Sequence, residues 1–248
     1  MSGGTMSEVS AVVDVTGQDY AGGLVGMLSG DVSVDNSHAE GTVSGRDFVG
    51  GLFGSVYTSL PIENNVAEVT VSGRDMIGGF AGYIAGGTPL DTNAAYGDVS
   101  GTNDVGGFVG NAVNGNNLNL YRAAAFGQVT GVNRVGGLAG SVDVTISITE
   151  SFSHGDVHAS GNDPLDSSAG GLVGEYANGS VTNSYAAGKV DGKVNVGGLI
   201  GKVRNGGMDI KNAYAAGEGR AEATMPAAAV RSLAAARPPM SGILSTSS

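Results

Sequence analysis

The chain contains no cysteine, which excludes a disulfide framework, a thiol nucleophile and any cysteine-ligated metal centre. Basic residues are few: 12 Lys and Arg face 23 Asp and Glu, a formal net charge of -11. That balance argues against binding DNA or RNA through phosphates. No apolar run approaches the roughly 18–20 residues that a membrane-crossing helix needs. The first ten residues, MSGGTMSEVS, lack the basic and apolar regions of a secretory leader. Three readings of that lack stay open: an excerpt of a larger protein, another export route, or retention inside the cell.

Glycine is abundant, at 45 of 248 residues, but without the every-third-residue rhythm of collagen. Its order lies in a pentad, Gly-Gly-(Leu/Phe)-X-Gly, found at 22–26, 50–54, 78–82, 106–110, 136–140, 170–174 and 197–201. Successive pentads are separated by 28, 28, 28, 30, 34 and 27 residues. Fixed periods of this size mark chains that stack one coil on the next. The prediction is an all-β fold, a right-handed β-helical solenoid of about seven to eight coils with a repeat of about 28 residues. Phosphate-binding glycine loops occur once, between a strand and a helix, and that context is missing.

A second block follows each pentad, as in NSHAEGTVSG (36–45) and NSYAAGKVDG (183–192). Val15, Val43, Val71, Val99, Val129, Val157 and Val190 occupy equivalent places between mostly polar neighbours, the period-two signature of a short half-buried strand. Ala39, Ala67, Ala95, Ala125, Ser153, Ala186 and Ala215 form a small-residue column four places earlier. The pentads contribute a large column, with Leu24, Leu52, Phe80, Phe108, Leu138, Leu172 and Leu199. Val49, Ile77, Val105, Val135 and Val196, with Ala21 and Ala169, precede the glycines as a further inward set. The repeated glycines imply either corners of positive φ or close backbone approach. Asn36, Asn64, Asn183 and Asn212 suggest an asparagine ladder, at turns or facing inward.

The regular step breaks around 111–121, 141–150 and 160–169, which predicts three loops on one side of the stack. Tyr57, Tyr83, Tyr121 and Tyr176 lie near these variable segments, where they would either contact glycan or protein together or pack singly. Residues 1–220 are assigned to the solenoid and 221–248, rich in Ala and Pro, to a cap, linker or tail.

No catalytic, cofactor-binding or metal-binding residue is assigned. His38, His154 and His158 do not form a metalloprotease helix, and no serine-hydrolase elbow is present. Asp19, Asp47, Asp75 and Asp104 recur before the pentads and could line a cation groove, with calcium as its ion, or the shallow cleft in which solenoid enzymes bind acidic sugars. Arg46 and Arg74 precede two of them, so local charge pairing is the simpler account. A Thr- and Ser-rich ice-binding rank is broken by Asp98, Gln128, Asp156 and Lys189.

Residues 9–219 resemble the GLUG-motif repeat family, through the linked pattern VGGLxG and NSYAxGxVxG, clearest at 170–174 and 183–192. The resemblance implies a β-solenoid of the kind found in large bacterial surface and secreted proteins, including filamentous haemagglutinin-like adhesins. It implies an extracellular or cell-surface structural and adhesive module, non-catalytic, with a host or bacterial surface glycan or protein as partner. A β-helical polysaccharide-acting enzyme and a phage tail-fibre or spike segment are the alternatives.

Overall fold

A computed structural model describes residues 3–115, 118–204 and 207–217. The Ala- and Pro-rich segment assigned above to 221–248 lies outside the described residues. The described chain is all-β, and every strand pairing is parallel. Three sheets of 13, 12 and 7 strands run along the stack. The narrow sheet takes one strand per coil, from Asp19–Gly22 to Val196–Gly197, and so counts seven coils. From it the chain passes through the pentad into the widest sheet, then into the 12-stranded sheet, and returns.

The register is the sequence repeat made spatial. His38–Ser44 pairs with Val66–Ser72 so that Ala39 meets Ala67 and Val43 meets Val71. Val49 likewise meets Ile77, and Gly50 meets Gly78. Side chains of one column therefore stack, and the alternating strand directs the apolar column inward. Leu52, Phe80, Phe108, Leu138 and Leu172 are fully buried, with Phe80 stacked on Phe108 at 4.6 Å between ring centres. Val196, expected inside, is 46% exposed, because it sits in the last coil of the narrow sheet.

The pentad glycines serve close approach, and none of them has positive φ. A Cβ on Gly51 would overlap the carbonyl oxygen of Gly79 in the next coil, and one on Gly50 that of Phe53 in its own coil. Side chains at these places would push coils apart. The left-handed corners fall instead on larger residues. One corner carries Tyr20, Phe48, Met76, Asp104 and Arg134 at φ of 51–59°. The other carries Asn36, Asn64, Asn183 and Asn212 at 49–58°, with Thr92, Arg122 and Glu150 in other coils. Asparagine tolerates this region best, which accounts for its recurrence there.

The inward polar ladder lies one residue further on. Asn65 Oδ1 accepts from the Ser37 backbone N–H at 2.9 Å, and Asn93 Oδ1 accepts from Asn65 N at 3.0 Å. Ser151 and Ser184 continue the column, Ser184 Oγ accepting from Ser151 N at 3.1 Å. These side chains satisfy backbone groups that the corner takes out of the sheet ladder.

Where they are described, two of the three expected loops are strand. Val109–Gly115 and Leu118–Tyr121 run through the described part of the first interruption, and the second is absorbed by Ala139–Thr149. Val142, Val144, Ile146 and Ile148 all point into the core, so these extra residues lengthen the sheet. Only 160–168 leaves the ladder, between Val157–Ala159 and Ala169–Gly170.

Candidate binding strip and charged cleft

Two outward columns face each other where the narrow sheet turns into the widest one. The first is the left-handed corner of Tyr20, Phe48, Met76, Asp104 and Arg134. The second, three residues past the pentad leucines or phenylalanines and one past the final glycine, runs Met27, Ser55, Tyr83, Asn111, Ser141, Glu175, Lys202 in register. The final pentad glycine makes the approach possible: a Cβ on Gly82 would lie 2.5 Å from Val49 N and 2.7 Å from Met76 O. Together the columns form a strip along the stack.

Its first coils are aromatic. Tyr20 stacks on Phe48 at 4.6 Å, Phe48 meets Tyr83 edge-on at 5.8 Å, and Tyr57 lies 5.5 Å from Tyr83. Tyr20 is 37% and Tyr57 40% exposed, whereas Tyr83 is buried beneath them. Burial, together with the neighbouring Tyr83 and Tyr20, pushes the Tyr57 hydroxyl pKa up. Of the four tyrosines singled out in the sequence, only Tyr57 and Tyr83 come together. Tyr121 pairs with the Arg122 guanidinium, 4.5 Å above its ring. Tyr176 belongs to the core, fully buried between Val142 and Val203 in register.

The later coils of the strip are charged. Arg134 Nε donates to Asp104 Oδ1 at 2.5 Å, and its Nη1 reaches Asp166. Burial works against the Arg134 charge, but the hydrogen bond and attraction to Asp104 outweigh it and raise its pKa. Glu175 accepts from Lys202 at 3.0 Å and from Arg204 Nε at 2.9 Å, while Arg204 also reaches Asp143. These groups line a cleft of about 270 Å³. The 160–168 loop folds against it: Lys202 Nζ donates to Leu165 O at 2.5 Å, and Asn195 Nδ2 donates to Pro164 O and Ser167 O, each at 2.8 Å. Leu165 itself projects, 82% exposed.

The acidic residues expected as one column divide. Asp19, Asp47 and Asp75 stack in register with Asn103, not with Asp104, which lies one residue later on the left-handed corner. A strand reverses face at each residue, so that single step sends Asp104 into the charged cleft. The pairing of the others reaches across coils. Arg46 holds Asp19 through Nε at 3.0 Å and Nη2 at 2.6 Å, Arg74 holds Asp47 at 3.0 and 2.7 Å, and Asn103 Nδ2 donates to Asp75 at 2.6 Å. Among the described residues, no group of three or more His, Asp or Glu is placed to hold a metal ion.

His154 and His158 lie apart from this strip. His154 Nε2 and the Tyr185 hydroxyl are 2.9 Å apart, and burial lowers the imidazole pKa. His158 Nδ1 pairs with Asp191 at 3.1 Å. Around His154 runs an aromatic ladder that the sequence reading did not single out, Tyr96 on Phe126 at 4.4 Å, then Phe152 on Tyr185 and Tyr185 on Tyr214 at 5.2 Å. Its rings lie nearly parallel within each of these pairs, so most faces are spent on one another.

Residues 166–191 match the family model of the GLUG motif. The match takes in the pentad 170–174 and most of the NSYAAGKVDG block, the two features on which the resemblance rests. Neither a curated protein nor a solved structure matches the chain. No helix among the described residues is long and apolar enough to cross a membrane.

Proposed function

We propose that this structural repeat module serves a bacterial surface or secreted protein, as a rigid stalk that also carries an adhesive face. The observation behind the reading is the coil-on-coil register that places equivalent repeat positions above one another through three parallel sheets. Such a stack gains stability coil by coil, and it presents a long side surface without needing a deep pocket. The strip supplies a surface for recognition, with exposed Tyr20 and Tyr57 in its first coils and paired charges further on.

A polysaccharide-acting enzyme is the second reading, favoured by the gathering of Asp104, Asp143, Asp166 and Glu175. Each of these carboxylates is held by an Arg or Lys, an arrangement that suits gripping a ligand better than protonating a leaving group. Antibodies raised against the chain should label intact cells of the source organism, and chain-coated beads should adhere to host or bacterial surfaces. Labelling only after permeabilisation would overturn the surface placement, and beads that adhere no better than uncoated ones would overturn adhesion. Release of reducing ends from polysaccharides by the purified chain would put the enzyme first.

A further inference from the structure

We propose that the charged cleft binds neutral pyranose rings of an extended oligosaccharide lying along the strip. The inference rests on the adhesive reading and names its ligand class. Asn111 carries it. This side chain is only 5% exposed and lines the cleft, and its Nδ2 donates to Asp104 Oδ2 at 2.9 Å. Its Oδ1 is buried and has no hydrogen-bond partner. A buried acceptor without a donor costs free energy, and a turn of the Asn111 amide toward the cleft would let a ligand hydroxyl relieve it.

The charges of the cleft select a neutral ligand. Four carboxylates, of Asp104, Asp143, Asp166 and Glu175, face three cations, of Arg134, Lys202 and Arg204. Every cation is committed to a carboxylate, so an anion would have to break those pairs against an excess of negative charge. A metal cation would have to displace the guanidinium groups. A polyhydroxy ligand disturbs neither. Ionised carboxylates keep spare lone pairs after one ion pair, and a guanidinium has five N–H donors. Sugar hydroxyls can donate to the first and accept from the second while the network stays intact.

The strip extends the subsite. Asn111 follows Tyr83 in register by one coil, Phe48 and Tyr57 lie beside Tyr83, and Tyr20 stacks on Phe48. Coils of a parallel stack are spaced by about 4.8 Å, close to the rise of one sugar residue in an extended β-1,4 chain. Rings of such a chain would pass from the cleft onto the exposed tyrosines.

Isothermal titration of the purified chain with neutral β-1,4-linked hexasaccharides (cellohexaose, mannohexaose, chitohexaose) tests the proposal. At least one should bind, an acidic oligogalacturonate should bind no better, and Asn111→Leu should weaken binding at least tenfold. Lys202→Met, at the more exposed edge, should weaken it in the same direction and decides the matter if Asn111→Leu does not fold by circular dichroism. The subsite is overturned if none of the neutral hexasaccharides binds, if oligogalacturonate binds instead, or if folded variants bind at full strength. Bead adhesion without hexasaccharide binding would remove the subsite and leave the adhesive reading standing; loss of both would remove both.

Discussion

Asn93 Oδ1 receives two hydrogen bonds from Asn65, one from its backbone N–H and one from its Nδ2, each at 3.0 Å. Both residues are buried, and Asn93 Nδ2 in turn donates to Ile62 O at 2.8 Å. The pair stitches adjacent coils at a corner where backbone ladder bonds lapse.

Asn93→Ala should therefore destabilise the chain by about 1–3 kcal/mol for each buried group it orphans. Urea denaturation followed by circular dichroism reads the loss as a lower midpoint. A midpoint equal to that of the parent chain would show that the ladder is dispensable.

The core and the glycine columns should fail in different ways. Leu172 is fully buried, so Leu172→Ala should cost about 2–5 kcal/mol by leaving a cavity, and Leu172→Asp should unfold the stack by burying an unpaired charge. Gly51→Ala removes no contact, but its Cβ would strike the Gly79 carbonyl and separate two coils. Its thermal midpoint should fall despite alanine's better propensity. An unchanged midpoint for Leu172→Asp would refute its inward place.

Tyr176 offers a gain. Its hydroxyl is buried without a partner, and burial pushes its pKa up to about 12 from 10.0. Tyr176→Phe keeps the ring and deletes the orphaned oxygen, so it should hold or raise stability by about 1 kcal/mol at neutral pH. The folded pKa exceeds the unfolded one, so the unfolded state loses its proton first, and the stability tied to this group is lost as pH rises from 10 toward 12. The phenylalanine variant should lack that component when melting is compared across this window.

Periodicity made the coil legible because each column keeps one kind of side chain: Val43, Val71 and Val99 announce both strand and face. The same test applied to Val142, Val144, Ile146 and Ile148 would have shown a strand where the changed spacing suggested a loop. The inward ladder was harder to see, because Ser37, Asn65, Asn93 and Ser151 are different residues answering one backbone need. The charged cleft was hidden for another reason. It joins Asp104 and Arg134 from one corner to Glu175, Lys202 and Arg204 from later coils, and no spacing within one repeat brings them together. Asp104 was misplaced by one residue, which in a strand is the difference between two faces.

His154 should make stability fall in mild acid. Burial lowers its pKa from 6.5, among the rings of Phe126, Phe152 and Tyr185, with the Tyr185 hydroxyl at 2.9 Å. Because the folded pKa lies below the unfolded one, the unfolded chain takes up the proton first as pH drops through 6.5. The contribution is therefore complete above that pH and declines below it, until the folded imidazole also titrates. Carboxylates titrate at lower pH and act on parent and variant alike, so the difference between them isolates the histidine. Melting temperatures of the parent chain and His154→Gln should be compared between about pH 7.5 and 5. The parent should lose more over that interval than the variant. Parallel curves would mean that the imidazole is solvated as freely in the folded chain as in the unfolded one, and the aromatic ladder would then be looser around His154 than its ring spacings indicate.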